Sequence, residues 1–289
     1  MKEFDYYHPV DIDETLKYLG KFKEKAMILA GGTDLILDLR QDKGVEGVEN
    51  IINIAHLDQL QYIKEEGDQI KIGAGITHGE LAKSKLIQRE VPALAQAART
   101  VGSPQIRNLG TIGGNIINAS PAADPVPILV ALESILTLKS SNGVRHIPIT
   151  DIYKGPYQSE IKEDELLTEI SFRKLPPTAT TAFIKLGRRN ALAIARMNVA
   201  VIISKGLEGI IKDVRIVPGA TTPVPMRIKS AEDILLNNQA DEELISQAGE
   251  KVAEEMIKIS GYRWSSEYKK PVIATLTRRG IYEALEGEQ

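Results

Sequence analysis

Two short stretches rich in glycine and small polar residues have the composition best suited to holding a ligand. The first, Ala30-Gly31-Gly32-Thr33-Asp34, follows an apolar run and precedes a helical pattern. Paired glycines permit positive φ angles and close approach of another molecule, and a helix N-terminus presents free N–H groups that suit a phosphate. Taken alone, this stretch is more typical of a tight turn with a helix N-cap. Asp34 disfavours a phosphate unless its carboxylate turns back to cap the helix.

The second stretch runs from Gly110 to Pro125 and combines Gly113-Gly114 with many short polar side chains. Its end, Asp124-Pro125, is typical of a helix N-cap followed by proline in the first helical position. The two Gly pairs lie about 80 residues apart, and each is close to the start of a predicted helix. Together they could hold the two ends of one long phosphate-containing ligand, neutralised by amide dipoles rather than by lysine.

The remaining sequence offers few other sources of chemistry. There is no Cys, which excludes thiolate catalysis and Cys-held clusters within this chain, and the four His have no metal-ligand spacing. Neither a Walker-type lysine motif nor Gly-x-Ser-x-Gly is present. Glu163-Asp164-Glu165 is typical of solvated loop charge, and His78 of a surface or capping residue. A bound cofactor is therefore the favoured source of chemistry.

Composition and charge narrow the class of protein. The 289 residues are 43% hydrophobic and 26% charged, as in soluble globular proteins, and suffice for one large domain or two ordinary ones. The net charge of −3 gives no indication of binding to nucleic acid or to an anionic membrane. No apolar run approaches membrane-spanning length, and the first residues lack the apolar core of a signal peptide. We therefore expect a cytoplasmic protein.

The elements that would position these stretches differ along the chain. Apolar strands over residues 26–30 and 48–54 are separated by a helix, which favours parallel pairing, and Asp13 is the expected N-cap of the helix before them. Further on, Thr77 is expected to cap a short helix. Asn142-Gly143 between two strand-like runs indicates an antiparallel hairpin, so the middle of the chain is predicted to be antiparallel.

The last third of the chain is predicted to form a separate unit. A strand over residues 166–175 ends at Pro176-Pro177, and the Pro/Thr cluster that follows is the expected domain boundary. Pro271 is expected to delay the start of the last helix. Beyond the boundary we expect three strands, over residues 182–186, 199–204 and 213–217, and three amphipathic helices, over residues 231–237, 241–259 and 267–285.

Two motifs and three flanking segments carry a family resemblance. The motifs are Ala30-Gly31-Gly32-Thr33-Asp34 and Thr111-Ile112-Gly113-Gly114-Asn115. The flanking segments are Gly102-Ser103-Pro104-Gln105-Ile106-Arg107-Asn108, Ser120-Pro121-Ala122-Ala123-Asp124 and Lys185-Leu186-Gly187-Arg188-Arg189. Over essentially its whole length, the chain resembles the FAD-binding medium subunit of the molybdenum hydroxylases. That family includes the flavin subunits of bacterial xanthine, nicotinate and carbon monoxide dehydrogenases.

The resemblance implies an α+β fold of the vanillyl-alcohol-oxidase (PCMH) type. Residues 1–176 would form an FAD-binding domain, with a small parallel subdomain over 1–55 and a larger, mostly antiparallel subdomain over 56–176. Residues 177–289 would form a C-terminal domain of three antiparallel strands and helices. FAD would lie between the two domains, with its pyrophosphate on both glycine loops.

The resemblance also implies contacts for individual residues. Asp124 would accept hydrogen bonds from ribityl or ribose hydroxyls, with Asn118 as a further contact. Leu167 would pack near the flavin ring, and Lys185 would approach the ring from the second domain. The pyrophosphate and its adjacent sugars would be held by Ala30, Gly31, Gly32, Thr33, Asp34, Thr111, Gly113, Gly114 and Asn115.

The implied function is electron transfer through FAD, with no catalytic side chain and no metal in this chain. A large partner subunit with a molybdopterin centre would oxidise the substrate, and a small iron–sulfur subunit would pass electrons singly to FAD. The reduced flavin would then reduce NAD or another acceptor. Two alternatives remain open, namely a stand-alone FAD-dependent oxidoreductase and a flavin-free assembly module.

Overall fold

The chain begins with a small parallel sheet. The computed structural model describes residues 3–189 and 192–287. Its first elements are β1 (Asp5–Tyr7), α1 (Ile12–Phe22), β2 (Ala26–Leu29), α2 (Leu35–Gln41) and β3 (Asn50–Asn53). The strand order is β1-β3-β2, and both pairings are parallel. The predicted parallel pair β2–β3 is confirmed, whereas β1 is short and mostly exposed and gave no apolar signal.

Helix α1 begins at a different cap from the one predicted. The Asp11 carboxylate accepts the Glu14 N–H at 2.7 Å, so Asp11 is the N-cap and the prediction of Asp13 was wrong. Asp13 lies instead in the first turn, where a carboxylate interacts favourably with the helix dipole. The face with Leu16 and Leu19 packs on β3 through Ile52, which holds the helix against the sheet.

A larger antiparallel sheet follows, in the strand order β4-β5-β10-β6-β7. The predicted hairpin is confirmed, since Ser140 pairs with Gly143 around a two-residue loop. Thr77 caps its helix as predicted, in a capping box with Glu80. The elements are β4 (Ile63–Glu66), β5 (Gln69–Gly73), α3 (His78–Lys83), α4 (Lys85–Glu90), α5 (Pro92–Thr100), α6 (Pro104–Arg107), α7 (Ile112–Ile117), α8 (Pro125–Ala131), β6 (Ile135–Ser140), β7 (Gly143–Pro148), β8 (Tyr153–Gly155), β9 (Gln158–Ser159) and β10 (Leu166–Arg173).

The acidic run Glu163-Asp164-Glu165 before β10 was predicted to be solvated, which is wrong for Glu165. Glu165 is buried, and its carboxylate receives two hydrogen bonds from the Arg145 guanidinium, at 2.6 and 2.8 Å. It also accepts the Lys162 N–H at 2.9 Å. A buried carboxylate needs such partners, and the sequence did not indicate that Arg145 would supply them.

Three antiparallel strands and three helices complete the fold. They are β11 (Ala179–Leu186), β12 (Met197–Lys205), β13 (Ile211–Gly219), α9 (Lys229–Leu235), α10 (Glu242–Ser260) and α11 (Ser266–Glu286). The helix predicted over residues 267–285 is confirmed as α11, but Pro271 lies inside it and does not delay its start. The Ser266 hydroxyl accepts the Arg263 N–H at 2.8 Å where the helix begins, and the helix continues through Pro271 although proline has no N–H to donate.

The third sheet, in the strand order β11-β12-β13, contributes to two hydrophobic cores because its side chains alternate between two faces. Ala200 and Ile202 of β12 lie in the main core with the larger sheet, whereas Val199 and Val201 pack against α10 and α11. On β11, Phe183 belongs to the main core, so Lys185 two residues on faces the same way. Since this sheet shares a core with the preceding one, the domain division after residue 176 stays a prediction. Within the described ranges, no helix is both long and apolar enough to cross a membrane.

Candidate cofactor site

The first glycine loop connects β2 to α2 and has backbone amides without acceptors. Within residues 3–189 and 192–287, the N–H groups of Gly32, Thr33 and Asp34 donate to no atom. Gly32 has a φ of +66°, which a residue with a side chain rarely adopts. The Asp34 carboxylate does not cap α2 and instead accepts the Asn118 amide at 3.1 Å. The loop amides are therefore available to an acceptor on another molecule.

The second glycine loop uses most of its amides within the protein. Thr111 caps α7 by accepting the Gly114 N–H at 3.1 Å, and the Gly113 N–H donates to the Ala74 carbonyl at 2.9 Å. A Cβ at Gly113 would lie 2.7 Å from Ala74, so this glycine permits close packing on the loop after β5. Gly114 is exposed, and a Cβ there would meet only the Thr111 hydroxyl, at 3.0 Å. A ligand would therefore approach this loop at Gly114 rather than at Gly113.

The two loops are in direct contact with each other. A Cβ at Gly31 would lie 1.9 Å from the Leu109 carbonyl oxygen, so only glycine allows the backbones to approach this closely. The Thr33 hydroxyl lies beside Gly110. A hydrogen bond between the side chains of Asn118 and Asp34, which are 84 positions apart in the chain, joins the far ends of the loops. The two loops thus form one continuous backbone surface.

This surface has the donor set that a phosphate-bearing cofactor requires. The amides of the first loop offer hydrogen bonds to phosphate oxygens, and the glycines leave room for close approach. The side-chain oxygen of Asn115 is buried and finds no hydrogen-bond partner in the described part of the chain. A buried acceptor without a partner is costly, and a hydroxyl of a bound cofactor would remove that cost. The residues present therefore fit a dinucleotide such as FAD.

Asp124 lies next to this surface, at the position preceding α8, but its carboxylate makes no capping bond. It is buried and forms an ion pair with the Lys185 ammonium at 2.5 Å. The carboxylate also accepts the Asn198 amide at 3.1 Å and the Thr100 hydroxyl at 3.2 Å. Burial raises the pKa of Asp124, and these three donors counteract that rise. The prediction of Asp124 at the N-cap position with Pro125 at the first helical position is therefore confirmed, but the Asp124 side chain binds these three donors instead of capping the helix. Its contact with a ribityl or ribose hydroxyl stays a prediction.

The register of the third sheet explains why two of these partners meet. Lys185 and Asn198 are directly paired across β11 and β12, and both side chains point from the sheet face that packs on α8. Asn198 and Thr100 were not identified from the sequence, although a polar residue at the start of the apolar run of β12 is a usable signal. Leu167 is buried in the main core opposite Leu138, and its packing near a flavin ring stays a prediction.

His78 packs against the second loop at Gly110 and is buried, so it is not the surface residue that was expected. Its backbone N–H donates to the Gly110 carbonyl at 3.0 Å, and its ring lies against Gly110. The ring is buried, and its Nδ1 has no partner among the described residues. Burial, and secondarily the positive charge of Arg107, lowers the pKa of His78 to about 4.

We expect this buried imidazole to make the protein less stable in acid. The folded state holds His78 neutral, whereas the unfolded state takes up a proton below the ordinary pKa of about 6.5. Stability is therefore full above about pH 6.5 and falls as the pH decreases towards 4, by up to roughly 3 kcal/mol from this group. Urea unfolding of the wild type and of His78→Gln at pH 7.5 and 4.5 measures it. The free energy of unfolding should decrease less between these pH values in His78→Gln than in the wild type. His146→Gln, at an exposed position, is the control and should lose as much as the wild type. Equal losses in all three proteins would contradict this role of His78.

The fold and the joined loops define the class of protein, an α+β protein with two contacting glycine loops whose residues fit a dinucleotide. Comparison with known proteins identifies the family. A model described as the FAD binding domain in molybdopterin dehydrogenase matches residues 2–174. A second, described as the CO dehydrogenase flavoprotein C-terminal domain, matches residues 182–284. The chain therefore belongs to the family of FAD-binding flavoprotein subunits of the molybdopterin dehydrogenases.

Similar proteins extend over the whole chain. It is 31% identical to the glyceraldehyde dehydrogenase medium chain of Sulfolobus acidocaldarius, over 97% of this chain and 98% of that one. It is also 31% identical to the nicotinate dehydrogenase FAD-subunit of Eubacterium barkeri, over 99% of each chain. A chain of carbon monoxide dehydrogenase from Hydrogenophaga pseudoflava superimposes with a TM-score of 0.91 at 27% identity, covering 99% of this chain and 98% of that one. The family resemblance, the fold type and FAD as the cofactor are confirmed.

Proposed function

We propose that this chain receives electrons from an iron–sulfur partner subunit of a molybdenum hydroxylase and passes them through FAD to NAD or another acceptor. The observation that supports this best is the contact between the two glycine loops, where acceptorless amides and the unpaired Asn115 oxygen form one surface. The names of the relatives support a role as one subunit of a larger enzyme, since they are called a medium chain or an FAD-subunit. When bound, FAD supplies the ability to take up electrons singly and release them as a pair.

The residues of this chain would hold the cofactor and fix its position. In the proposal, the amides of Gly32, Thr33 and Asp34 bind pyrophosphate oxygens, and Gly114 lets the cofactor approach the second loop. The tie between Asp34 and Asn118 keeps the loops at the required separation. The remaining proposed contacts come from Ala30, Gly31, Thr111, Gly113, Asn115, Asp124, Leu167 and Lys185. The large molybdopterin subunit would contain the substrate pocket, and the small subunit the clusters.

Titration of the purified apoprotein with FAD tests the site directly. We expect saturable binding, followed by the visible flavin spectrum in the protein fraction. The variant Gly114→Val should block this binding, because its side chain fills the open space beside the loop, where the added Cβ meets only the Thr111 hydroxyl. Its far-UV circular dichroism and unfolding midpoint should stay close to those of the wild type, since Gly114 is exposed.

Two results would count against the proposal. If the wild-type chain neither binds FAD nor is stabilised by it, alone or in the assembled complex, the chain is not an electron-transfer flavoprotein. If Gly114→Val binds FAD with the wild-type Kd, the second loop does not form part of the clamp. Reduction of the isolated holoprotein by a small organic substrate would instead favour a stand-alone oxidoreductase.

A further inference from the structure

An exposed aromatic and basic surface lies at the start of α11, outside the cofactor loops. Its aromatic residues are Tyr262, Trp264 and Tyr268, which are 68%, 93% and 47% exposed. Trp264 is the single tryptophan of the chain. Large aromatic side chains are usually at least partly buried, so three exposed ones within seven residues require an explanation. We call these residues, together with the cations described next, the aromatic–basic patch.

The patch contains cations that lack acidic partners. Arg196 lies over the Tyr268 ring, with its guanidinium carbon 5.4 Å from the ring centroid. Lys269 directly follows Tyr268 in the chain, and the Arg263 N–H donates to the Ser266 hydroxyl at 2.8 Å, so the three cations lie at the start of α11. Burial lowers the pKa of the Lys269 ammonium, and the positive charges of Arg263 and Arg196 lower it further. Within residues 3–189 and 192–287, none of the three forms an ion pair with a carboxylate. The exposed Glu267 also lies in the patch and accepts the Tyr262 hydroxyl at 3.4 Å. With three cations and this one carboxylate, the patch is a local positive surface in a chain with a net charge of −3.

Hydrogen bonds connect the patch to the segment that follows the second glycine loop. The Ala220 N–H donates to the Pro121 carbonyl at 2.9 Å, and the Lys269 ammonium donates to the Ala220 carbonyl at 3.1 Å. The Ser260 hydroxyl donates to the Thr221 carbonyl at 2.8 Å, which anchors the end of α10 at the same place. Along the chain, Pro121 lies shortly after Asn118, whose side-chain amide donates to Asp34 and joins the two loops. The patch is therefore attached to the same edge of the molecule as the cofactor surface.

We propose that the aromatic–basic patch is the docking surface for an acidic face of the iron–sulfur partner subunit. This inference rests on the proposed function, because the subunit that delivers electrons to FAD must cover the edge where FAD is held. Trp, Tyr and Arg dominate the binding energy of protein interfaces, and the three unpaired cations complement a partner rich in Asp and Glu. A small ligand such as NADH would need a concave pocket, whereas a side chain that is 93% exposed suits insertion into a pocket of another protein.

Substitution of Trp264 in the full-length chain tests this surface. We expect Trp264→Ala to weaken binding of the iron–sulfur subunit at least tenfold, measured by titration of that subunit into this chain, since buried aromatic anchors have effects of this size. Arg196→Glu should weaken binding by a similar factor, and its binding should depend less on salt than that of the wild type, because a favourable charge contact is lost. Both isolated variants should bind FAD with the wild-type Kd.

Leu207→Ser is the matched control. Leu207 is 90% exposed, but it lies at the turn between β12 and β13, at the opposite end of the third sheet from Arg196. This variant should assemble and transfer electrons as the wild type does. The patch is not the docking surface if Trp264→Ala and Arg196→Glu bind the iron–sulfur subunit normally, or if they lose only the molybdopterin subunit, self-association or NADH binding. Failure of the wild-type chain to bind FAD, both alone and in the assembled complex, would overturn the proposed function instead, and the FAD titration distinguishes the two results.

Discussion

Gly31→Ala should abolish tight FAD binding and also destabilise the chain. The added Cβ would lie 1.9 Å from the Leu109 carbonyl oxygen and 2.6 Å from its carbon. Both are backbone atoms, so no side-chain rotation relieves the contact, and the two glycine loops must move apart. Because the proposed clamp depends on their separation, we expect FAD affinity to fall by about a hundredfold, equivalent to about 2.7 kcal/mol. Isothermal titration with FAD and thermal unfolding of the apoprotein measure the two effects.

Gly20→Ala is the control for this substitution. Gly20 lies inside α1, and a Cβ there meets only the Ser141 hydroxyl, at 3.4 Å. Alanine in a helix is favoured over glycine by about 1 kcal/mol, so this variant should be equally or more stable and should bind FAD normally. Normal FAD binding by Gly31→Ala would mean that the loops do not act as one surface, and the assignment of the clamp would have to be given up.

Much of the fold was predictable because local sequence rules and tertiary structure agree. The parallel pair β2–β3 follows from two apolar runs with a helix between them, and the hairpin of β6 and β7 follows from Asn142-Gly143. The cap at Thr77 is encoded within four residues, because its partner Glu80 belongs to the same turn. These features depend on neighbours in sequence, which a single sequence contains in full.

The incorrect predictions concern residues whose partners are distant in sequence. Glu165 looked solvated because nothing nearby indicates its pairing with Arg145, which arrives from the adjacent hairpin. His78 looked like a surface cap because its burial depends on the loop around Gly110. For Pro271 the local rule was too strict, since the 21-residue helix α11 retains its other hydrogen bonds and continues through the one position without an N–H.

The candidate site shows the same division. The glycine pairs identified both loops, but the sequence did not show that Gly113 serves internal packing while Gly114 faces outward. Asp124 and Lys185 were each connected with FAD by the resemblance. Their pairing with one another requires the third sheet to lie on α8, which no local pattern encodes.

Lys185→Met should be among the most destabilising single changes in the chain, because it leaves Asp124 buried without its counter-ion. Removing one partner of a buried ion pair typically costs about 3–5 kcal/mol. The double variant Asp124→Asn, Lys185→Met should recover most of this loss, since no uncompensated charge remains and the introduced amide oxygen still accepts the Asn198 amide. Lys154→Met removes an exposed pair with Glu160 at 2.9 Å and should change the free energy of unfolding by no more than about 0.5 kcal/mol. Urea unfolding at pH 7.5 compares the four proteins.

The pH dependence of the Lys185→Met defect distinguishes a buried charge from lost packing. Burial already raises the pKa of Asp124, and removal of the Lys185 ammonium takes away the largest influence that lowers it. Asp124 in the folded variant then binds a proton more readily than it does in the unfolded chain. The free energy of unfolding of the variant therefore falls as the pH rises from the ordinary pKa of aspartate to the raised pKa of Asp124. The difference between wild type and Lys185→Met should consequently shrink between pH 7.5 and 4.5, while the shared effect of His78 cancels in the comparison. A difference that stays constant over this range would mean that Lys185 contributes packing alone, and that Asp124 is not the charged group that joins the third sheet to the cofactor edge.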